Sequence, residues 1–363
     1  MTSTLIDRDT LFGPTSQLAR VPRRIGRILH AQVARRERSI DRRHAPRILA
    51  AIAAVRPDAT TWVVQDSRVG EPTILIVGPS GSRPAAIVRV ARSLSGKAGL
   101  ERAAAALDLL HLRLTSPEVD ALLPVPIARG DLSGRTWFAE SALAGRSART
   151  LLPDAGQRRR MLVATAQAIA GVHAATARAV VVDDAILGRW VTARVAGIAG
   201  VLRRGSRAAR DGPRLASVAS RVAADLRDRT LRAGWIHGDL WPANVLVTGN
   251  GVEISGIVDW DSAEADELAL HNSLHLAVTT RRLVERTELG PVVAGLLTGG
   301  GWTADDRAVL DVPAGDGFSG LSDPTALWLY WLRFVESNLA RRPELATDRA
   351  WLAANVERVL ACA

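Results

Sequence analysis

The chain has 363 residues and a mass of 38.8 kDa, with 47% apolar and 23% charged residues. That balance excludes wholesale disorder, and the length allows two lobes. The single cysteine, Cys362, excludes a disulfide framework and a cysteine-based zinc site. The net charge of +10 is concentrated, because residues 1–60 hold 12 Arg and 5 acids; a nucleic-acid protein more often spreads a basic face over its main domain, so no nucleic-acid partner is expected.

No run of 18 or more apolar residues is present, so no transmembrane segment is expected. The N-terminus, with Asp7 and Asp9, lacks a signal-peptide pattern, and the expectation is a cytoplasmic protein. Residues 17–43 place Val21, Ile25, Ile28, Leu29, Val33 and Ile40 near helical spacing among many arginines. After Pro46, Ile48–Val55 resumes a helix. Residues 1–58 therefore read as a basic helical extension, docked on the body or facing an anionic partner.

Strand patterns follow. Thr61–Gln65, Thr73–Val77 and Ala85–Val90 are short β-branched runs separated by turn-rich segments. A helix is predicted over Leu100–Leu114, then extended runs at Pro124–Ala128 and Thr136–Glu140 around GDLSG. Residues 59–141 thus form a small lobe of about five antiparallel strands and one helix. From Gln157 the pattern is largely helical through about Arg232 and again from about Glu267. It is interrupted by strands at Val245–Val247 and Val252–Val258 around TGNG, a hairpin signal. Residues 142–363 read as a larger, mainly helical lobe. The fold class expected is α+β with two lobes.

The chemistry concentrates in WIHGDLWPANVLVTGNGVEISGIVDWDSAEA, residues 235–265. Asp239 and Asn244 on a short loop, beside a strand ending in Asp259, bring three oxygen-bearing side chains together. Mg²⁺ takes hard oxygen ligands and keeps waters, so Asn244 and Asp259 suffice as its protein ligands. Asp239 is then left to accept a proton from an attacking hydroxyl, the division of labour of protein kinases. Other motifs fail: GxxxxGK[ST] and GxSxG are absent. His271 and His275 sit four apart on a predicted helix, but no Glu follows His271 as in zinc proteases. An ordinary hydrogen-bonded pair is expected there.

HGDLWPAN and IVDWD resemble the loop and metal strand of the aminoglycoside phosphotransferase and choline kinase group of small-molecule kinases, over roughly residues 60–340. The resemblance implies a protein-kinase-like fold and transfer of the γ-phosphate of ATP, with Mg²⁺, to a hydroxyl of a small molecule. Asp239 would be the base and His237 the orienter of its loop. Arg89 stands where the family has a phosphate-gripping cation, with Lys97 as the alternative and Glu101 as the expected partner. Ser67 and Gly70 fall in the loop over the phosphates. Glu140 and Leu143 fall in the hinge segment, and Leu246 and Ile257 would wall the nucleotide. Asp261, Glu264 and Asp266 could attract a cationic acceptor such as an amino sugar or amino alcohol, or simply be a solvated turn; Trp260 could stack on it. The rival reading is a catalytically idle nucleotide-binding regulator that docks a partner through its basic extension.

Overall fold

The computed structural model describes residues 45–65, 73–79, 83–202, 208–249, 253–312 and 320–363. The helix expected over 17–43 and the loop with Ser67 and Gly70 lie outside the described residues. The rest divides into two compact units, residues up to 147 with 243–263, and residues 148–242 with 264–363.

The first unit is built on five antiparallel strands, β1 Thr61–Gln65, β2 Thr73–Gly78, β3 Ala86–Val90, β4 Pro126–Leu132 and β5 Arg135–Ser141, in the order β1-β2-β3-β5-β4. Ser133 and Gly134 both have positive φ and close a two-residue turn between Leu132 and Arg135, the conformation that suits strand twist. Alternation gives the sheet two faces. Ala86, Val88 and Val90 are buried with Ala45, Ile48 and Ile52 of the helix at 45–53. Ile87 and Arg89 alternate with them.

The helix after β3 spans Leu94–Arg113. It begins six residues before the predicted start because Ser93 caps it, accepting from the Gly96 backbone N–H at 3.0 Å. The turn-like SLSGKAG is therefore helical. Two short strands, β6 Arg146–Ser147 and β9 Val245–Thr248, pair with each other, and β9 pairs with β10 Glu253–Ile257. The Ile257 N–H also donates to Leu122. These bonds draw the hairpin, expected within the helical lobe, into the first unit.

The second unit is mainly helical, but three strands enter it that the sequence reading does not assign. They are β7 Arg178–Val181, β8 Thr230–Ile236 and β11 Glu264–Leu268, in the order β11-β8-β7. The alternation that identifies β8, with Leu231, Ala233 and Ile236 buried, is visible in TLRAGWI but short. The continuous helix Asp184–Leu202 is long and apolar enough to cross a membrane by length and composition. However, Trp190, Val191 and Ile198 are buried in the core of this unit, and Arg194 is buried and paired with Glu267. It is packed as a core helix.

Gly290 marks the tightest backbone approach in this core. A Cβ there would lie 2.0 Å from the Ala354 carbonyl oxygen, and the Gly290 N–H donates to Asn355 Oδ1 at 2.9 Å. Gly290→Ala should lower stability by about 3 kcal/mol, the upper part of the range for overpacking. Chemical denaturation read by circular dichroism should show the midpoint falling with an unchanged slope.

Candidate active site

β8 ends at Ile236 and delivers His237, Gly238 and Asp239 as irregular backbone. Buried irregular backbone must find partners for its polar groups. The Gly238 N–H donates to Asn272 Oδ1 at 3.3 Å, and the Gly238 carbonyl accepts from Arg333 Nη1 at 3.0 Å. Gly238 has φ 80°, which only glycine adopts without strain. His237 is fully buried, and its Nδ1 accepts from the Asp239 N–H at 3.3 Å, a bond that braces the turn. Asn272 also bonds His173 Nε2 at 3.2 Å. Burial, with His271 nearby, pushes His173 down to about 4, so it is neutral at physiological pH.

The Asp239 carboxylate is half-buried. Burial works against its charge, but the His275 hydrogen bond and the positive field of Arg341 hold it well below the usual carboxylate range. It is ionised across neutral pH. His275 Nε2 lies 3.1 Å from Asp239 Oδ1, and His275 Nδ1 lies 3.0 Å from the Tyr330 hydroxyl. The two histidines of the helix Leu270–Glu285 thus part ways. His271 is 3.3 Å from Glu267 and pushed to about 4 by burial, although Glu267 opposes this. Among the described residues no group of three or more His, Cys, Asp or Glu could hold a metal ion.

In the first unit, Asn244 ends a single helical turn and Asp259 follows β10. The Val258 N–H donates to the Asn244 carbonyl at 2.9 Å, which sets the two residues side by side at the base of the hairpin. Asp259 has φ 70°, a conformation uncommon for any residue but glycine, Asn and Asp. An amide oxygen and a carboxylate on adjacent backbone are a hard but incomplete oxygen donor set. That suits Mg²⁺, which keeps waters and takes phosphate oxygens as its remaining ligands.

Arg89 on β3 is 6% exposed. Its Nη1 donates to Asp259 Oδ1 at 2.6 Å and its Nη2 to Glu140 Oε2 at 3.2 Å. The guanidinium lies 5.9 Å from the centroid of Phe138. Burial disfavours the charge, but Glu140, Asp259 and Asp261 together more than restore it, so Arg89 stays a cation. The expected partner Glu101 does not meet it. Glu101 faces solvent, 58% exposed, 3.8 Å from Lys97. The helical phase explains this: the buried stripe runs through Gly99, Leu100, Ala103 and Leu107, and Glu101, one step on, turns out of it. β5 supplies the carboxylate instead. Phe138 stands opposite Arg89 in the ladder, and Glu140, two residues on, is its diagonal neighbour on the same face.

The hinge residues gather around Gly256. A Cβ there would meet Leu143 Cδ1 at 2.6 Å and Leu246 Cδ1 at 3.3 Å. Leu246 and Ile257 are buried. The ladder is irregular between Ile254 and Gly256, and Ser255 Oγ donates to the Ala144 carbonyl at 2.6 Å. Gly145 has φ 130° and no room for a Cβ beside Ser255. Gly256, which the sequence reading did not single out, carries the usual signal of close approach, a glycine inside a strand.

The acidic run after Asp259 is already engaged. Glu264 meets Arg333 at 3.2 Å, and Asp266 meets Arg178 at 2.9 Å and Arg189 at 3.6 Å. Glu267 is bound to Arg194. Asp261 lies against the helix Leu94–Arg113, its Cβ 3.3 Å from where a Cβ on Gly99 would stand, and its carbonyl accepts from Arg102 Nε at 3.0 Å. Trp260 is fully buried and donates to the Ile257 carbonyl at 2.8 Å; it is core, not a stacking surface. The sequence reading also passed over His173, Asn272, Tyr330 and Arg333. Only the i, i+3 spacing of Asn272 and His275 hinted at a polar helix face.

A sheet unit with a buried cation, and an HGD loop held by helices, define a kinase-like phosphotransferase. The chain matches the phosphotransferase enzyme family APH over residues 61–284, more than half its length, and it belongs to that family. It is a small-molecule phosphotransferase that uses a nucleotide. Among solved structures it is similar to ADP-bound aminoglycoside phosphotransferase APH(2'')-Ib, at TM-score 0.52 and 9% identity over 86% of this chain and 96% of that one. It is also similar to the GDP complex of aminoglycoside 2'-phosphotransferase-IIIa, at 0.52 and 16% over 87% and 97%. A third is the streptomycin–ATP–APH(2")-IIa ternary complex, at 0.52 and 11% over 87% and 95%. These likenesses establish the fold. Among curated proteins none matches.

The pairing of Arg89 with β5 separates two carboxylates functionally. Glu101→Gln should leave the Michaelis constant for the nucleotide within about twofold, as surface changes usually do. Glu140→Gln should raise it and lower the melting temperature, since it weakens a buried ion pair whose loss typically costs about 3 kcal/mol or more. Steady-state kinetics and melting curves of the two variants, compared with wild type, check this. The reverse pattern would return the partner role to the helix.

Proposed function

We propose that the protein transfers the γ-phosphoryl group of ATP, with Mg²⁺, to a hydroxyl of a small sugar-like molecule, with Asp239 as the proton acceptor. The observation that carries the reading is the Asp239 carboxylate, kept ionised and fixed at the end of β8. Such transfers proceed through a loose transition state, so positioning and charge stabilisation do most of the work. A strongly acidic carboxyl is a poor base in the ground state. Asp239 therefore orients the acceptor hydroxyl and takes its proton late, as the new O–P bond forms and ADP leaves.

Asn244 and Asp259 would hold Mg²⁺, which when bound supplies charge neutralisation to the phosphate oxygens. Arg89 holds Asp259 oriented for that task. Leu143, Leu246 and Ile257 provide apolar surface for the base of the nucleotide, and Ser67 and Gly70 belong to the segment assigned to its phosphates.

The acceptor is favoured to be neutral or weakly charged. Glu264 and Asp266, which in sequence look like a lure for a polycation, each carry an arginine partner. The relatives named above include one solved with streptomycin. For this chain the internal pairing weighs toward a sugar-like compound rather than a highly charged aminoglycoside.

Asp239→Asn should leave nucleotide binding by calorimetry intact while turnover falls about a hundredfold or more, the range for loss of a general base. Turnover of an acceptor panel, read by ADP release and product mass, should favour neutral or singly charged hydroxyl compounds. Faster use of polycationic amino sugars would overturn the charge argument. Nucleotide binding without turnover of any acceptor would favour the idle regulator.

A further inference from the structure

We infer that His275 is a positioning residue for Asp239: its Nε2–H is bonded to Asp239 Oδ1, its Nδ1 is tied to Tyr330, and the pair fixes the rotamer of the carboxylate that receives the acceptor proton. This inference rests on the phosphotransfer reading above and adds a residue that neither the HGD loop nor the metal strand contains.

The geometry is two-sided. An ionised carboxylate accepts only, so the 3.1 Å contact requires the proton on Nε2. In the neutral ring Nδ1 is then an acceptor, and the Tyr330 hydroxyl at 3.0 Å is its donor. The tautomer is thus set from the far side, as the third member of a catalytic triad sets its histidine. The ring has little freedom to leave this position. It is buried, and it lies 6.0 Å from Tyr330 and 6.2 Å from Phe334 between ring centroids. Tyr330 and Phe334 are one turn apart on the helix Asp323–Arg341, so a single helix face clamps the imidazole. A histidine that merely filled the core would not need its two nitrogens aimed at a tyrosine and at the catalytic carboxylate. Arg341 and His237 also act on Asp239, and Arg282 and Arg333 act on Tyr330; these remain in place in the variants below.

The test uses the full chain. His275→Leu removes the donor, and His275→Gln keeps an N–H near the Nε2 position. With Leu, kcat should fall roughly 10- to 100-fold, the range for removing a hydrogen-bonded support of an active group, while the nucleotide dissociation constant stays within twofold. The acid limb of kcat should move to higher pH, because Asp239 loses a contact that depresses its pKa. Gln should recover most of kcat and most of the limb. Tyr330→Phe should fall between wild type and Leu. A Leu variant that melts like wild type and keeps the acid limb would overturn the proposal. A readout independent of any acceptor is the ¹⁵N spectrum of the His275 imidazole. Wild type should show the Nε2–H tautomer, and Asp239→Asn should shift its Nε2 resonance. An unmoved Nε2 resonance sinks the proposal even if no acceptor is ever found, whereas a shifted one with no turnover would leave the pair intact and remove the phosphotransfer reading instead.

Discussion

Arg89 is a cation that the sheet cannot hydrate, and much of the first unit follows from that constraint. Removing such a charge from water is costly unless carboxylates surround it in good geometry. β5 answers with Glu140 at the diagonal position, and the segment after β10 answers with Asp259. The neighbouring helix contributes no acid to its buried stripe, only Gly, Ala and Leu, so it can approach closely at Gly99. Because Asp259 must reach the guanidinium from the end of a strand, its backbone turns into the left-handed region. Strain of this kind persists only where surrounding contacts fix it, and here two contacts do, the Arg89 bond and the Val258 to Asn244 backbone bond.

The second unit solves a different problem with the same currency of hydrogen bonds. His237, Gly238 and Asp239 are irregular chain in a protected place, and three helices prop them. Ala155–Thr176 sends His173, Leu270–Glu285 sends Asn272 and His275, and Asp323–Arg341 sends Arg333 and Tyr330. Arg333 in turn is countered by Glu264 on β11, the strand that pairs with β8 and so closes the support around the loop.

This division explains what could be read in the amino acids alone. The first five strands, the HGD loop and the IVDWD strand are local patterns, visible as alternation and spacing, and they led to the fold and the family. The helix start at Leu94 was missed because Gly96 and Gly99 look like loop residues, whereas one cap bond from Ser93 suffices to launch the helix. The partner of Arg89 was sought at the start of that helix, whereas the carboxylate that meets it is Glu140 on β5. β8 and β11 were missed because a five- to seven-residue alternation embedded among alanines and charges is a weak signal beside helical composition. The props of the loop were illegible for a simpler reason. Asn272 is 34 residues from Gly238 and Arg333 is 95, and nothing in a single sequence joins them.

The acidic run after Asp259 shows how far composition can mislead about a field. Counted along the chain, Asp261, Glu264, Asp266 and Glu267 form a negative patch just after the IVDWD strand. In space they spread over a single helical turn and the strand β11, and three of them face arginines drawn from Arg178, Arg189, Arg194 and Arg333. A carboxylate within a few ångströms of a guanidinium presents a dipole to a distant cation rather than a charge, and the attraction falls off much faster with distance. The buried Glu267–Arg194 pair is screened least by salt and is the most firmly neutralised. On the proposed reading, an acceptor is selected by hydrogen bonding and shape rather than by long-range charge.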